Sequence, residues 1–83
     1  MPVTSAQLRM ARAALNWTVR DLAQATGLHR NTITNIEIGR YAGDPKTLKI
    51  IEAVVRKAGV EFIDENGGGP GVRLRKETGR SRK

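Results

Sequence analysis

The chain has 83 residues, 39% of them hydrophobic, with no cysteine and a formal net charge of +7. That length holds one small domain with a modest core, and the lack of cysteine excludes a disulfide framework or a thiolate metal site. Residues 73 to 83 carry six Lys or Arg against Glu77 alone, leaving only +2 on residues 1 to 72, so basicity by itself does not mark the body as a DNA-binding domain.

Met1 to Thr4 reads as a short, loosely tied lead in which Val3 can cover the core. A first helix is predicted from Ser5, as N-cap, to Leu15, with Leu8, Ala11 and Ala14 or Leu15 at the i, i+3, i+4 spacing of a buried face. Trp17, the only tryptophan, falls in the connection that follows and is expected to pack against this helix rather than stack on a base. A second helix starts at Thr18, whose hydroxyl can take up a free amide while Asp21 three residues on does the same in return. Leu22 and Ala23 point inward. Gly27 can adopt the positive φ that ends this helix and turns the chain, and Leu28 then drops into the core.

A third helix begins near His29. At about 100° per residue, Ile33 and Ile36 share one side while Arg30, Asn31, Thr34, Asn35 and Ile38 spread over the other. A guanidinium, two carboxamides and a hydroxyl are groups that hydrogen-bond to base edges in a major groove. Taken alone, the same residues suit any solvated helix face. Gly39 to Gly43 reads as a loop, after which Asp44 as N-cap and Pro45 at the first position open a fourth helix. Its apolar stripe is Leu48, Ile51, Val54, Val55 and Ala58, ending at Gly59; Ile50 lies off the stripe and marks a contact with a second subunit.

Beyond Gly59 the period becomes alternating: Val60 and Phe62, then Val72 and Leu74, alternate with Glu61, Arg73 and Arg75. Two strands follow from this, joined by the turn-forming run Glu65 to Gly71. An isolated hairpin is marginal in water, so these strands need either the helical body or a partner chain, and pairing across a dimer is attractive. The glycine-rich run lacks the Lys-Ser/Thr ending and the strand-to-helix context of a phosphate loop. The remainder is a basic tail without apolar content, expected to be disordered when free.

The stretch LNWTVRDLAQATGLHRNTITNIEIGR resembles the lambda-repressor-like, Xre/Cro-type helix-turn-helix family of prokaryotic and phage regulators. The likeness covers roughly Ser5 to Gly59 and rests on the spacing of Ala23 and Gly27, on Leu28, Ile33 and Ile36 as core, and on the Glu37, Gly39, Arg40 ending. It implies a mainly α fold with a four-helix DNA-binding domain over residues 1–59; the alternating pattern beyond it adds a two-strand β segment over 60–74, expected to serve dimerisation, and the basic tail covers 75–83. It also implies that the third helix lies in the major groove of double-stranded DNA, with Arg30, Asn31, Thr34 and Asn35 on base edges, and that Arg12 pairs with Glu37. Phosphate contacts are expected at Thr18, Arg20, His29, Thr32, Arg40, Tyr41 and Lys46, and a homodimer interface at Ile50, Val60, Phe62, Val72 and Leu74. Two positions depart from the family pattern. Val19 stands where many relatives carry a glutamine that buttresses a phosphate contact, and His29 replaces the usual Ser or Thr cap.

An enzyme does not fit the inventory: His29 is the only histidine, and no nucleophile motif, carboxylate cluster or metal-ligand spacing is present. No cofactor is called for. The leading expectation is a repressor that binds a palindromic operator as a dimer. An alternative is an antitoxin-like or adaptor module whose C-terminal strands bind a second protein; RNA binding is argued against by the lack of stacking aromatics. No apolar run nears the roughly 20 residues that cross a bilayer and no signal segment opens the chain, so the expected setting is the prokaryotic cytoplasm, at the nucleoid, without membrane attachment.

Overall fold

In the computed structural model, which describes residues 3–75, each helix begins at a side chain that takes up a free backbone amide. Helix α1 spans Ser5–Leu15, α2 Val19–Thr26, α3 Arg30–Glu37 and α4 Pro45–Ala58, followed by strands β1, Val60–Ile63, and β2, Gly71–Leu74. The caps are Thr4, Thr18, His29 and Asp44. Thr4, not Ser5, starts α1: its hydroxyl accepts from Gln7 N–H while the Gln7 side chain accepts from Thr4 N–H, each at 3.0 Å. A glutamine lies three residues beyond Thr4 and not beyond Ser5, and that spacing decides between the two hydroxyls. The lead is therefore tied down at Thr4, and Val3 packs on the core.

The core is built from one face of each helix and from β1. Leu8 and Ala11 of α1, Leu22 and Ala23 of α2, Ile33 and Ile36 of α3, Leu48, Ile51 and Val55 of α4 and Val60 of β1 are all buried. Leu15, Trp17, Val19, Leu28, Phe62 and Val72 close its margins. Ala14 and Ala58, read as stripe residues, are exposed. Gly43, at φ 83°, brings the loop before α4 against the core so closely that a Cβ there would meet Leu48 at 3.0 Å and Ile36 at 3.3 Å.

The two strands pair antiparallel within the chain, with Val60 opposite Leu74, Glu61 opposite Arg73, Phe62 opposite Val72 and Ile63 opposite Gly71. The helical body is what supports them. Val60 is completely buried, so it fills the core and offers no surface to a partner chain. Arg73 lies in β2, as the alternation predicts, and pairs with Glu61 at 3.0 Å on the outer face of the hairpin. Arg75 N–H donates to Gly59 O at 2.8 Å; the rest of the expected tail, 76–83, lies outside the described residues. The hairpin is pinned to α1 by Gln7, which is 2% exposed. Its Nε2 donates to Ile63 O at 2.8 Å and to Gly71 O at 2.9 Å. Together with the bond from Thr4 N–H, this satisfies the buried amide at both ends.

Candidate nucleic-acid interface

Helices α2 and α3 meet at Gly27, whose φ of 77° closes α2 through a hydrogen bond from its N–H to Ala23 O. A residue bearing a Cβ is strained in this left-handed conformation. Thr26 adds a second stop, its hydroxyl donating to Leu22 O at 2.8 Å and accepting from Leu28 N–H at 3.2 Å. Leu28 folds inward, and His29 starts α3 by accepting from Asn31 N–H through Nδ1 at 3.0 Å. This use of Nδ1 as acceptor fixes the tautomer: the neutral ring carries its proton on Nε2, which remains a donor.

The inner side of α3 is anchored by Ile33 and Ile36, 0% and 2% exposed. On the outer side Arg30, Asn31 and Thr34 are exposed, Asn35 is half-buried, and Ile38 at the C-cap is 60% exposed. The groups expected on base edges thus share one rigid element. A shallow cleft beside it is lined by Arg20, Ala23, Gln24, Gly27, Leu28, His29 and Arg30, so four cationic or donor groups, Arg20, Gln24, His29 and Arg30, converge at the start of α3. Gln24 was missed in the sequence; its signal is the four-residue spacing from Arg20 on α2.

Thr18 is exposed and its oxygen accepts from Asp21 N–H at 3.0 Å, which leaves the hydroxyl proton available to an anion. Arg40 and Lys46 stand exposed on the loop and on the first turn of α4, and Thr32 is half-buried. Among the described residues, Arg20, Arg30, Arg40 and Lys46 make no ion pair. Tyr41 behaves differently from a free phosphate donor: its hydroxyl accepts from Asp44 N–H at 3.2 Å and contacts the Asp44 carboxylate at 3.4 Å, shaping the loop into α4.

The far end of α3 is fastened to α1. Arg12 grips the Glu37 carboxylate with two parallel bonds, Nε to Oε2 at 2.7 Å and Nη2 to Oε1 at 2.9 Å, and also donates to Trp17 O at 3.0 Å. The bond to Glu37, with its charge in support and partial burial opposing, holds the guanidinium above its ordinary range. The family model of the helix-turn-helix matches residues 8–61, well over half of the chain. The chain belongs to the lambda-repressor-like, Xre/Cro-type helix-turn-helix family.

Within that family the α2–Gly27–α3 unit is the helix-turn-helix and α3 its second helix, so the chain is a DNA-binding protein of a family that is typically non-enzymatic. The matched span ends at Glu61, one residue past Val60, the last buried core residue in the sequence, and leaves most of the hairpin beyond it. No match was found among curated proteins.

Proposed function

We propose that the protein is a sequence-specific repressor that occupies a palindromic operator as a homodimer, with α3 in the major groove, in a prokaryotic cytoplasm at the nucleoid. One observation carries this: Arg30, Asn31 and Thr34 stand exposed on a helix whose opposite side is locked by fully buried Ile33 and Ile36. Side chains held in fixed register can form bidentate pairs, arginine with guanine and asparagine with adenine. Asn35 joins them from the margin. Thr18, Arg20, His29, Thr32, Arg40 and Lys46 are assigned to the phosphates, which set register without reading sequence. Occupancy suffices for repression, and no cofactor enters.

Dimerisation is supported by surface chemistry. Ile50 and Leu74 are 37% and 64% exposed, and among the described residues the sheet has only two strands, so each offers an outer edge. Phe62 and Val72 are half-buried and contribute only at the margin. A two-fold protein bearing two α3 helices favours half-sites about one helical turn apart, roughly 10 bp between centres.

Selection from random duplex DNA with the purified chain tests the reading, and a palindromic consensus is the expected result. Asn31→Ala should then lose about 1 to 3 kcal/mol of discrimination at one position of each half-site. An Asn31→Ala protein with the wild-type ratio of operator to scrambled affinity removes that residue from the base contacts. Sedimentation should give the mass of two chains at micromolar concentration. A single-chain mass with and without DNA overturns the dimer.

A further inference from the structure

Glu37 ends α3, and its carbonyl is among those that a helix cannot satisfy from within. The backbone donors that follow are engaged elsewhere. Ile38 N–H bonds to Thr34 O at 3.0 Å, Gly39 N–H to Ile36 O at 3.1 Å, and Arg40 and Tyr41 N–H both turn to Asn35 O, at 2.9 and 3.1 Å. Gly39, at φ 80°, is the left-handed residue that turns these donors back to Ile36 and Asn35, which bypasses the Glu37 carbonyl, and the last turn of α3 has no basic residue of its own. Glu37 is only 5% exposed, so an unmade hydrogen bond at its carbonyl is costly. The missing donor comes from another element: Arg9 Nη1 donates to Glu37 O.

Arg9 and Arg12 lie three residues apart and therefore share a face of α1. Arg12 holds the Glu37 carboxylate and Arg9 the Glu37 carbonyl, so one residue is gripped at both side chain and main chain. A side-chain pair alone lets a helix end pivot about the carboxylate, through the χ angles of the glutamate. A second attachment on the main chain removes that pivot. The freedom it removes is the one that would change how Thr34 and Asn35, in the last turns of α3, meet a base pair.

We propose that Arg9 is a positioning residue for DNA readout: by bonding the last carbonyl of α3 it sets the angle of the base-contacting helix, and it touches no DNA itself. The inference rests on the reading of α3 as that helix. A phosphate contact from Arg9 would act through affinity for any sequence; a clamp acts through discrimination between sequences.

The experiment compares wild type, Arg9→Ala and Arg9→Lys in two measurements on the full chain. Without DNA, isotope-labelled protein reports the Glu37 carbonyl carbon and the Ile38 amide, which share the peptide group that Arg9 bonds. Both signals should move in Arg9→Ala, and Ile38 should exchange its amide proton faster, with α4 amides unchanged. With DNA, the selected duplex and a scrambled one are titrated across a salt series. Arg9→Ala should lose about tenfold in the ratio of the two affinities, comparable to one misaligned base contact, with the salt slope unchanged. Arg9→Lys, which keeps a donor on a flexible stem, should recover most of the ratio.

A slope shallower by nearly one unit per subunit with the ratio intact would make Arg9 a phosphate contact and overturn the proposal. Unmoved Glu37 and Ile38 signals would also overturn it, because the clamp would then be absent in solution. A wild-type protein that fails to discriminate among duplexes counts against the regulatory reading, and the DNA-free signals still decide whether the clamp exists.

Discussion

Arg12 and Glu37 are unequally placed, with side chains 25% and 7% exposed, and the inequality predicts unequal mutants. Arg12→Ala leaves a nearly buried carboxylate without its partner and should cost on the order of 3 kcal/mol, whereas Glu37→Ala leaves a guanidinium that can turn toward water and should cost less. Urea melts of both single mutants and the double mutant check this; additive effects would mean the two charges do not interact. The pairing itself was legible from the family likeness, since the glutamate sits at the end of the motif and the arginine on the first helix. The main-chain contact of Arg9 was not. Sequence spacing shows which residues share a face of α1, but which carbonyl lies under that face depends on how α3 is tilted in three dimensions.

The four helices were legible almost to the residue because each has its own local start and stop: Thr18 with Asp21, Gly27, Asp44 with Pro45, and Gly59. Where two hydroxyls stood side by side, at Thr4 and Ser5, the predicted cap fell on the neighbour. The hairpin was harder. Alternation tells which side of a strand is apolar and leaves open what covers it, so Val60 could be assigned to a dimer when it fills the body's own core. Capping also makes α4 pH-sensitive. The Asp44 carboxyl is held below its ordinary value of 3.8, foremost by the bond from Thr47 N–H, with the Thr47 and Tyr41 hydroxyls and Lys46 N–H adding to it and desolvation opposing. A depressed folded value means that this stabilisation is present above the unfolded value and lost as pH falls through the folded one. The melting temperatures of wild type and Asp44→Ala should therefore differ most near neutrality and converge below about pH 4. A gap that stays constant with pH would show that the carboxylate charge contributes nothing to the cap.

At the scale of the whole chain, basic charge is shared between the described residues and the end of the sequence. The α3 side chains proposed to read bases lie among the described residues, while Lys76, Arg80, Arg82 and Lys83 are concentrated at the end of the sequence beside Glu77. Charges that act through counterion release add affinity for any duplex. If about three of these cations engage phosphates in each subunit, removal of residues 76–83 should make the salt slope shallower by nearly three units per subunit, with the operator-to-scrambled ratio preserved. Salt titrations of the truncated chain test this, and an unchanged slope overturns it.

The amide of Gln7 reaches partners 56 and 64 residues further along the chain, and this has a bearing on the order of events during synthesis. Contacts so distant in sequence close late, after local helices have formed. The two bonds that Gln7 donates to the hairpin cannot both form until Gly71 has been made. Chains terminated before Val60 lack the residue that plugs the core and both carbonyl acceptors of Gln7, so they present an open apolar face to proteases. The hairpin thus closes a core that the four helices leave open, and limited proteolysis should cut a chain shortened to residues 1–59 faster than the full chain.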